Sequence, residues 1–213
     1  MSGAYLDLSS WPRRGQFEFF RNYDQPFFNI TSDVRVTEVY RLSRETDGPS
    51  FFLATLYLSL VAANRIEEFR LRLRPAGVWC HDRIHGGSTI LRSNETFGFG
   101  YFRFIEDFKA FQARGRAVIA EVRNPNGKLD AQEQRDDLMH YSVLPWIRFT
   151  SFAHARKTSG TDSIPKIVFG KRFERAGDVW MPISVEVHHA LVDGLHVGRF
   201  LEAFEAELAG PRL

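Results

Sequence analysis

The chain has 213 residues, of which 44% are hydrophobic and 25% are charged, and its formal net charge is +2. This length suffices for a substantial core, and the composition is that of a globular protein rather than a disordered or fibrous one. The small net charge and the lack of a Lys/Arg run argue against a nucleic-acid-binding protein.

The first 69 residues contain the signals for two helices, a strand and a long buried helix. Two serines followed by a proline in residues 9–14 predict a helix start. Alternating apolar residues predict a strand over Phe27–Val36, after which Thr37 is expected to cap a short helix that ends at Leu42. The segment Phe51–Phe69 is apolar on all faces, which predicts a buried helix.

The middle of the chain predicts a hairpin, an aromatic strand and a second long helix. Residues 71–74 and 77–80 alternate around Pro75-Ala76, and this pattern predicts a hairpin. His81 and His85 have the spacing of a two-histidine metal motif, but glycines follow directly, so we expect a loop there. Phe97, Phe99 and Tyr101 alternate with glycine and are expected to share one face of a strand. A helix is predicted over residues 105–122.

The last third predicts three strands and a C-terminal helix. Residues 140–149 are expected to form a strand interrupted by Pro145, and residues 167–170 and 179–183 form two further strands. The second of these continues into Ser184-Val185-Glu186-Val187, which alternates and ends at two histidines. After the Asp193-Gly194 turn, an amphipathic helix is predicted from Leu195.

His189 is the strongest candidate for chemistry, because a strand end gives an imidazole rigid support. An imidazole titrates near neutral pH and can therefore act as a general base. Asp193 is well placed to hold the loop that positions it. A purely structural histidine is the alternative. Metal binding by His188, His189, Asp193 and His196 is also possible, although zinc sites usually show tighter clusters or cysteine ligands, so we expect no metal.

Three segments resemble the chloramphenicol acetyltransferase family. His188-His189-Ala190-Leu191-Val192-Asp193-Gly194 is similar to its His-His-x-x-x-Asp-Gly signature, and Trp11-Pro12-Arg13-Arg14 with Phe17-Glu18-Phe19-Phe20 resembles its opening. His140 to Trp146 resembles its Ser-x-Leu-Pro-Trp stretch. The resemblance implies that His189 is the base, that Arg13 pairs with Asp193 as a structural anion, and that the Ser142 hydroxyl stabilises the tetrahedral intermediate.

The family resemblance also implies a fold and an assembly. Its members have a mixed β-sheet flanked by helices, an α/β fold of the α+β type, and they form trimers with active sites at subunit interfaces. Acetyl-CoA enters from one side as co-substrate and the hydroxylated acceptor from the other. Transfer is direct, so no acyl-enzyme and no permanently bound cofactor are expected, and Cys80 lies outside the matched positions.

Several matched positions of the acceptor pocket differ from the usual family residues. Phe20 replaces a tyrosine that hydrogen-bonds chloramphenicol, and Phe99 replaces a small residue. Asp24 and His154 each replace a leucine, and Val168 replaces a threonine. The acceptor-binding residues implied in full are Phe19, Phe20, Asp24, Phe97, Phe99, His140, Phe152, His154 and Val168. Phe52 and Arg172 are implied on the CoA side.

The expected function is an acetyl-CoA-dependent O-acetyltransferase with chloramphenicol as the leading acceptor. The altered pocket favours an alternative in which another hydroxylated small molecule is the acceptor and chloramphenicol is used poorly. A non-catalytic trimeric binding protein is an alternative of a different class. A dehydrogenase-complex acyltransferase core is less favoured, because no lipoyl domain precedes residue 11.

The sequence also predicts the compartment and the domain organisation. The N-terminus lacks the basic and apolar regions of a signal peptide, and no stretch is long and apolar enough to span a bilayer. Cys80 is the only cysteine, which excludes an internal disulfide framework and suits a reducing compartment. We therefore expect a cytoplasmic protein, without membrane or nucleic-acid partners, whose residues 1–213 form a single domain.

Overall fold

The computed structural model describes residues 2–132, 134–156 and 162–213. The helices in these ranges are α1 (Arg14–Phe20), α2 (Thr37–Leu42), α3 (Phe51–Asn64), α4 (Glu67–Arg70), α5 (Phe108–Val122) and α6 (Gly194–Ala209). The strands are β1 (Gly3–Tyr5), β2 (Phe27–Arg35), β3 (Leu71–Arg74), β4 (Gly77–His81), β5 (His85–Leu91), β6 (Phe97–Phe102), β7 (Leu138–Val143), β8 (Lys166–Phe169), β9 (Phe173–Arg175) and β10 (Asp178–His188).

A seven-stranded mixed sheet forms the centre of the molecule. Its strand order is β2-β10-β8-β7-β5-β6, and β9 pairs with β10 off this path. The pairs β5–β7 and β7–β8 are parallel, whereas the other pairings in the sheet are antiparallel. The predicted mixed α/β architecture is therefore confirmed.

The main core lies between this sheet and the helices α3, α5 and α6. Helix α3 is apolar on all faces and is buried along most of its length, as expected for a helix between other elements. The Ser50 hydroxyl accepts a hydrogen bond from Leu53 N–H (3.4 Å) and caps this helix. The helix ends at Asn64 rather than at Phe69, because Arg65 and Ile66 separate it from the short helix α4.

A second, three-stranded sheet with the order β1-β4-β3 is attached through Arg72, whose side chain is fully buried. The Arg72 guanidinium donates to the carbonyl oxygens of Phe69, Leu71, Asp136 and Leu138, at distances of 2.6–2.9 Å. Leu138 begins β7, and Asp136 lies two residues before it. The buried charge is therefore solvated by backbone dipoles and fixes the strand that carries Ser142.

Two rows of aligned residues cross the large sheet on the face that carries Ser142. Ser142 pairs with Val168, and Val168 pairs with Ser184. A second row lies two residues further along each strand. We call it the polar row, and it consists of His140, Lys166 and Glu186. Because side chains alternate along a strand, the two rows share one face.

Several predicted boundaries differ from the structure. Helix α1 begins at Arg14 rather than at the serines, and β7 ends at Val143, before Pro145. Pro145 lacks the N–H that a ladder needs, which explains the early end of the strand. His81 ends β4 and His85 begins β5, so only the residues between them form the predicted loop. No described helix is long and apolar enough to cross a membrane.

Candidate active site

His189 follows the last residue of β10 and is held by aromatic rings on two sides. Its backbone N–H donates to the carbonyl oxygen of Pro26 (2.7 Å), which ties the strand end to the start of β2. The Phe20 ring is stacked on the imidazole, with centroids 3.8 Å apart and planes at 10°. The Phe28 ring is tilted against it at 4.7 Å. The imidazole therefore has a fixed orientation.

The predicted contact between Arg13 and Asp193 is present. Arg13 Nη2 lies 2.7 Å from Asp193 Oδ1, and Arg13 Nε donates to Oδ2 at 3.1 Å. The same guanidinium also donates to the carbonyl oxygens of Leu191 and His189. Arg13 thus holds both ends of the loop between β10 and α6, and its side chain is only 11% exposed.

His189 Nδ1 faces the Asp193 carboxylate. The two atoms Nδ1 and Oδ1 are 3.2 Å apart, yet their alignment falls outside hydrogen-bond geometry, and Nδ1 is buried without another partner among the described residues. The contact is therefore electrostatic, and it favours a proton on Nδ1. In that tautomer Nε2 carries the lone pair and is the atom able to accept a proton from a substrate.

His196 supports the same loop, and the sequence reasoning did not identify this role. The Asp193 backbone N–H donates to His196 Nδ1 at 2.9 Å, and His196 Nε2 lies 3.2 Å from Glu68 Oε1. An accepting Nδ1 requires the proton on Nε2, which then donates to Glu68. Burial lowers the pKa of His196, and the Glu68 charge opposes this shift. His196 is the third residue of α6, the position from which a side chain commonly hydrogen-bonds the backbone N–H of the N-cap residue. This position could have indicated its role from the sequence.

His188 has a different environment from its neighbour. Its side chain is buried, its Nδ1 accepts a hydrogen bond from Ala190 N–H (3.2 Å), and its ring meets Phe27 edge-on at 4.9 Å. Burial lowers the pKa of His188 to about 4. Within the described residues, no three His, Cys, Asp or Glu side chains are grouped so that they could hold a metal ion.

Ser142 lies far from His189 within one chain. Two strand spacings separate Ser142 from Ser184, and five residues along β10 separate Ser184 from His189. With about 4.8 Å per strand and about 3.3 Å per residue, the two positions are roughly 15–20 Å apart. One chain alone therefore does not bring Ser142 to the His189 imidazole.

The implied acceptor residues fall into several groups in one chain. Phe20 packs on His189, and Phe19 beside it is 62% exposed. Asp24 and His154 line one cavity of about 670 Å³, and the Phe152 ring meets His154 edge-on at 4.8 Å. Two further residues share the face that carries Ser142: His140, in the polar row, and Val168, which is fully buried between Ser142 and Ser184.

The other implied positions lie apart from these groups. Phe97 and Phe99 pack edge to face at 5.6 Å on β6, the edge strand opposite β2. Phe99 also lines a separate cavity of about 730 Å³ beside α5. On the CoA side, Phe52 packs against Phe102 (5.7 Å), whereas the Arg172 guanidinium lies over the ring of Phe51, 4.4 Å from its centroid.

Comparisons with known proteins agree over nearly the whole chain. The family model described as chloramphenicol acetyltransferase matches residues 1–205. Chloramphenicol acetyltransferase 2 of Escherichia coli is 29% identical over 207 residues, which cover 96% of each chain. Chloramphenicol acetyltransferase of Streptomyces acrimycini is also 29% identical, over 212 residues that cover 98% of this chain and 95% of the relative.

Solved structures show the same likeness. A chloramphenicol acetyltransferase structure superposes with a TM-score of 0.89 at 31% identity. The superposition covers 97% of this chain and 100% of the other chain. The dihydrolipoamide acetyltransferase of Azotobacter vinelandii superposes with a TM-score of 0.70 at 16% identity, covering 92% of this chain and 86% of its own. The second likeness concerns the fold alone.

Proposed function

The chain belongs to the chloramphenicol acetyltransferase family, and we propose that it transfers the acetyl group of acetyl-CoA to a hydroxyl group of chloramphenicol. The observation that carries this proposal is the geometry of His189, whose ring is clamped by aromatic side chains while Nδ1 faces Asp193. A fixed imidazole with a free Nε2 is suited to general-base catalysis.

The transfer takes place in one displacement at the thioester. His189 Nε2 accepts the proton of the acceptor hydroxyl, whose oxygen attacks the thioester carbonyl carbon. A C–O bond forms, the C–S bond breaks, and the imidazolium returns the proton to the departing CoA thiolate. Burial raises the pKa of the Cys80 thiol, so this cysteine is a poor nucleophile and an acyl-enzyme is not required.

Ser142 stabilises the charge that develops on the carbonyl oxygen. Its hydroxyl donates to the oxyanion, where one well-placed donor contributes about 3–4 kcal/mol to transition-state stability. Arg13 and Asp193 position the imidazole and take no part in proton transfer. On the CoA side, Phe52 and Arg172 contact the co-substrate, and no cofactor is permanently bound.

The complete site needs a second copy of the chain. His189 must contact the acceptor hydroxyl and Ser142 must contact the oxyanion that forms beside it, whereas Ser142 and His189 are roughly 15–20 Å apart in one chain. A neighbouring copy that presents its Ser142 to this His189 resolves the mismatch. We propose a homotrimer of single-domain chains, with one site at each interface, acting in the cytoplasm where acetyl-CoA is available.

Thiol release from acetyl-CoA in the presence of chloramphenicol tests the proposed reaction. We expect release that depends on the acceptor and falls at least about 100-fold in a folded His189→Ala protein. Cys80→Ser is the matched control and should retain turnover. Acceptor-dependent release that survives His189→Ala would refute the role of the base, and absence of release with every hydroxylated acceptor would favour a non-catalytic binding protein.

A second candidate is the same chemistry on another hydroxylated small molecule. The specific observation that favours it is the cavity lined by Asp24 and His154, where the family resemblance implies leucines. Charged or polar side chains at these positions contact the nitrophenyl ring of chloramphenicol less favourably than leucines do. The same assay with a panel of acceptors separates the two candidates.

A further inference from the structure

A cavity of about 670 Å³ opens beside the strand end that carries His189. Its walls are the segment 21–27, the turn between β3 and β4, and the side chains of His154, Arg156 and Asp162. His188, which precedes His189, also lines it. The volume is typical of a site for a small organic molecule.

The polar row continues the wall of this cavity toward Ser142. Glu186 lies 3.2 Å from His154 Nδ1 and also pairs with the Arg156 guanidinium. Lys166 Nζ lies 2.6 Å from Asp162 Oδ2. Glu186 and Lys166 lie on the sheet face of Ser142, so the wall of the cavity contacts the row of side chains next to Ser142.

Most of the charges around the cavity are paired with one another. Arg74 forms two hydrogen bonds with Asp136, at 2.7 and 2.9 Å, in addition to the Arg156–Glu186 and Lys166–Asp162 pairs. Arg21 and Asp24 have no ion-pair partner in the part of the chain that the structure describes, and their charges are opposite. The cavity therefore has little net charge with which to select an ionic ligand.

The acidic members of these pairs are ionised near neutral pH. Burial by itself raises the pKa of Glu186, but the hydrogen bond with His154 and the charge of Arg156 lower it overall. Burial also raises the pKa of Asp162, and the charge and hydrogen bond of Lys166 lower it overall. Both groups thus remain charged, and a ligand beside them must offer hydrogen-bonding groups.

The paired side chains keep unused hydrogen-bonding capacity. A guanidinium has five N–H donors, so its contact to one carboxylate leaves Arg156, which lines the cavity, with further donors. Asp24, Asn22 and Gln25 add acceptors and donors at the entrance. Hydroxyl groups both donate and accept, and they carry no charge, so they match this surface better than ions or apolar rings do.

We propose that this cavity is an acceptor subsite for a neutral polyhydroxylated compound, such as a polyol or a glycoside, one hydroxyl of which is acetylated. The inference rests on the proposed O-acetyl transfer and names the class of acceptor for it. A site that forms hydrogen bonds to substrate hydroxyls discriminates strongly against ligands that leave those groups unpaired. Chloramphenicol, whose nitrophenyl ring carries no hydroxyl group to pair with this wall, is the poorer acceptor.

The test compares acceptors in the unmodified protein and in three variants. Thiol release from acetyl-CoA is measured with methyl glucoside, sorbitol, myo-inositol and chloramphenicol. His154→Leu and Asp24→Leu replace polar walls by leucine, and Glu205→Leu is the matched control on the exposed face of α6. Ligand-observed saturation-transfer NMR without acetyl-CoA reports binding independently of the reaction.

We expect at least one polyol to have a higher kcat/KM than chloramphenicol. Each cavity variant should lower the polyol kcat/KM at least tenfold relative to chloramphenicol, with the KM for acetyl-CoA unchanged, and Glu205→Leu should change neither value. Because Asp24 lies on an exposed segment, Asp24→Leu remains informative even if His154→Leu fails to fold.

Two other results have separate meanings. If chloramphenicol is the better acceptor in the unmodified protein and in both cavity variants, the polyol subsite is refuted and the acetyl transfer stands. If no acceptor causes thiol release from acetyl-CoA, the proposed function is refuted. The NMR binding data alone then test the subsite. In that case, NMR binding of a polyol that is lost in Asp24→Leu supports the subsite, and absence of binding refutes it.

Discussion

The Phe20 ring lies parallel to the His189 imidazole, with centroids 3.8 Å apart and planes at 10°. The family resemblance assigned Phe20 to the acceptor wall, where it lacks a hydroxyl. In the structure it also holds the proposed base. Its position therefore affects the orientation of the imidazole as well as the pocket.

Replacing Phe20 by alanine should lower turnover by loosening the imidazole. A stacked ring pair contributes about 0.5–1.5 kcal/mol beyond its buried area, which corresponds to roughly a 2- to 12-fold loss in kcat. Phe20→Tyr should keep the stack and most of the turnover. Gln16→Ala is the control, because Gln16 lies on the same helix and is exposed. Equal losses in Gln16→Ala and Phe20→Ala would contradict a specific role for the stack.

Replacing Asp193 by asparagine should lower both stability and activity. The change strands the Arg13 charge, whose side chain is 11% exposed, while Asp193 is 32% exposed and partly solvated. We expect a loss of about 1–3 kcal/mol in the free energy of unfolding, below that of a fully buried pair. Glu18→Gln breaks the exposed Arg14–Glu18 pair and should have little effect. Denaturant unfolding together with kcat measures both effects.

A loss of turnover in Asp193→Asn with no change in unfolding would give Asp193 a direct chemical role. A loss of stability with full turnover would show that the loop tolerates the stranded charge. Either result would contradict the assignment of Asp193 as a structural anion that orients His189.

Stability should fall as the pH is lowered from about 6.5 toward about 4. Burial lowers the pKa values of His81, His140 and His188 to about 4 each. An unfolded histidine titrates near 6.5, so the unfolded chain binds more protons in this interval and the folded state loses stability. Each histidine contributes a slope of up to about 1.4 kcal/mol per pH unit. Denaturant unfolding at pH 7, 6 and 5 measures the slope.

His81 provides the matched variant for this pH dependence. It is fully buried, faces Arg72, Arg74 and Asp136, and its Nδ1 accepts a hydrogen bond from Trp79 Nε1 (3.3 Å). Protonation of Nδ1 would break that bond. His81→Gln retains an acceptor but does not titrate, so the slope of its unfolding free energy against pH should be lower by up to about 1.4 kcal/mol per pH unit. An unchanged slope would show that His81 is not neutral in the folded state.

Local patterns predicted most of the secondary structure and the residues around the base. Strand β2, the hairpin of β3 and β4, and helix α6 follow from alternation, turn residues and amphipathic spacing. The motif and the paired arginines predicted the contact between Arg13 and Asp193, because both lie in segments with a strong resemblance. The short strands β1 and β9 were missed, since three residues carry no usable period.

Long-range pairing was not predictable in the same way. Strand β5 contains two glycines and was not predicted, and only its first residue, His85, fell in the expected loop; it pairs with β6 and β7. The polar row depends on register across three strands, so no local pattern joins His140 to Lys166 and Glu186. The hairpin pattern did not indicate that Arg72 is buried, because its burial depends on carbonyl groups more than sixty residues away.

Subunit complementation tests the shared site most directly. The His189→Ala variant and the Ser142→Ala variant are each expected to be inactive. They are mixed in equal amounts under conditions that allow subunit exchange. If the base and the serine of each site come from different copies, about a quarter of the interfaces in randomly mixed trimers are intact. We expect about a quarter of the unmodified activity to return. If activity stays at the level of the two parents after verified exchange, both residues act within one chain and the shared site is wrong.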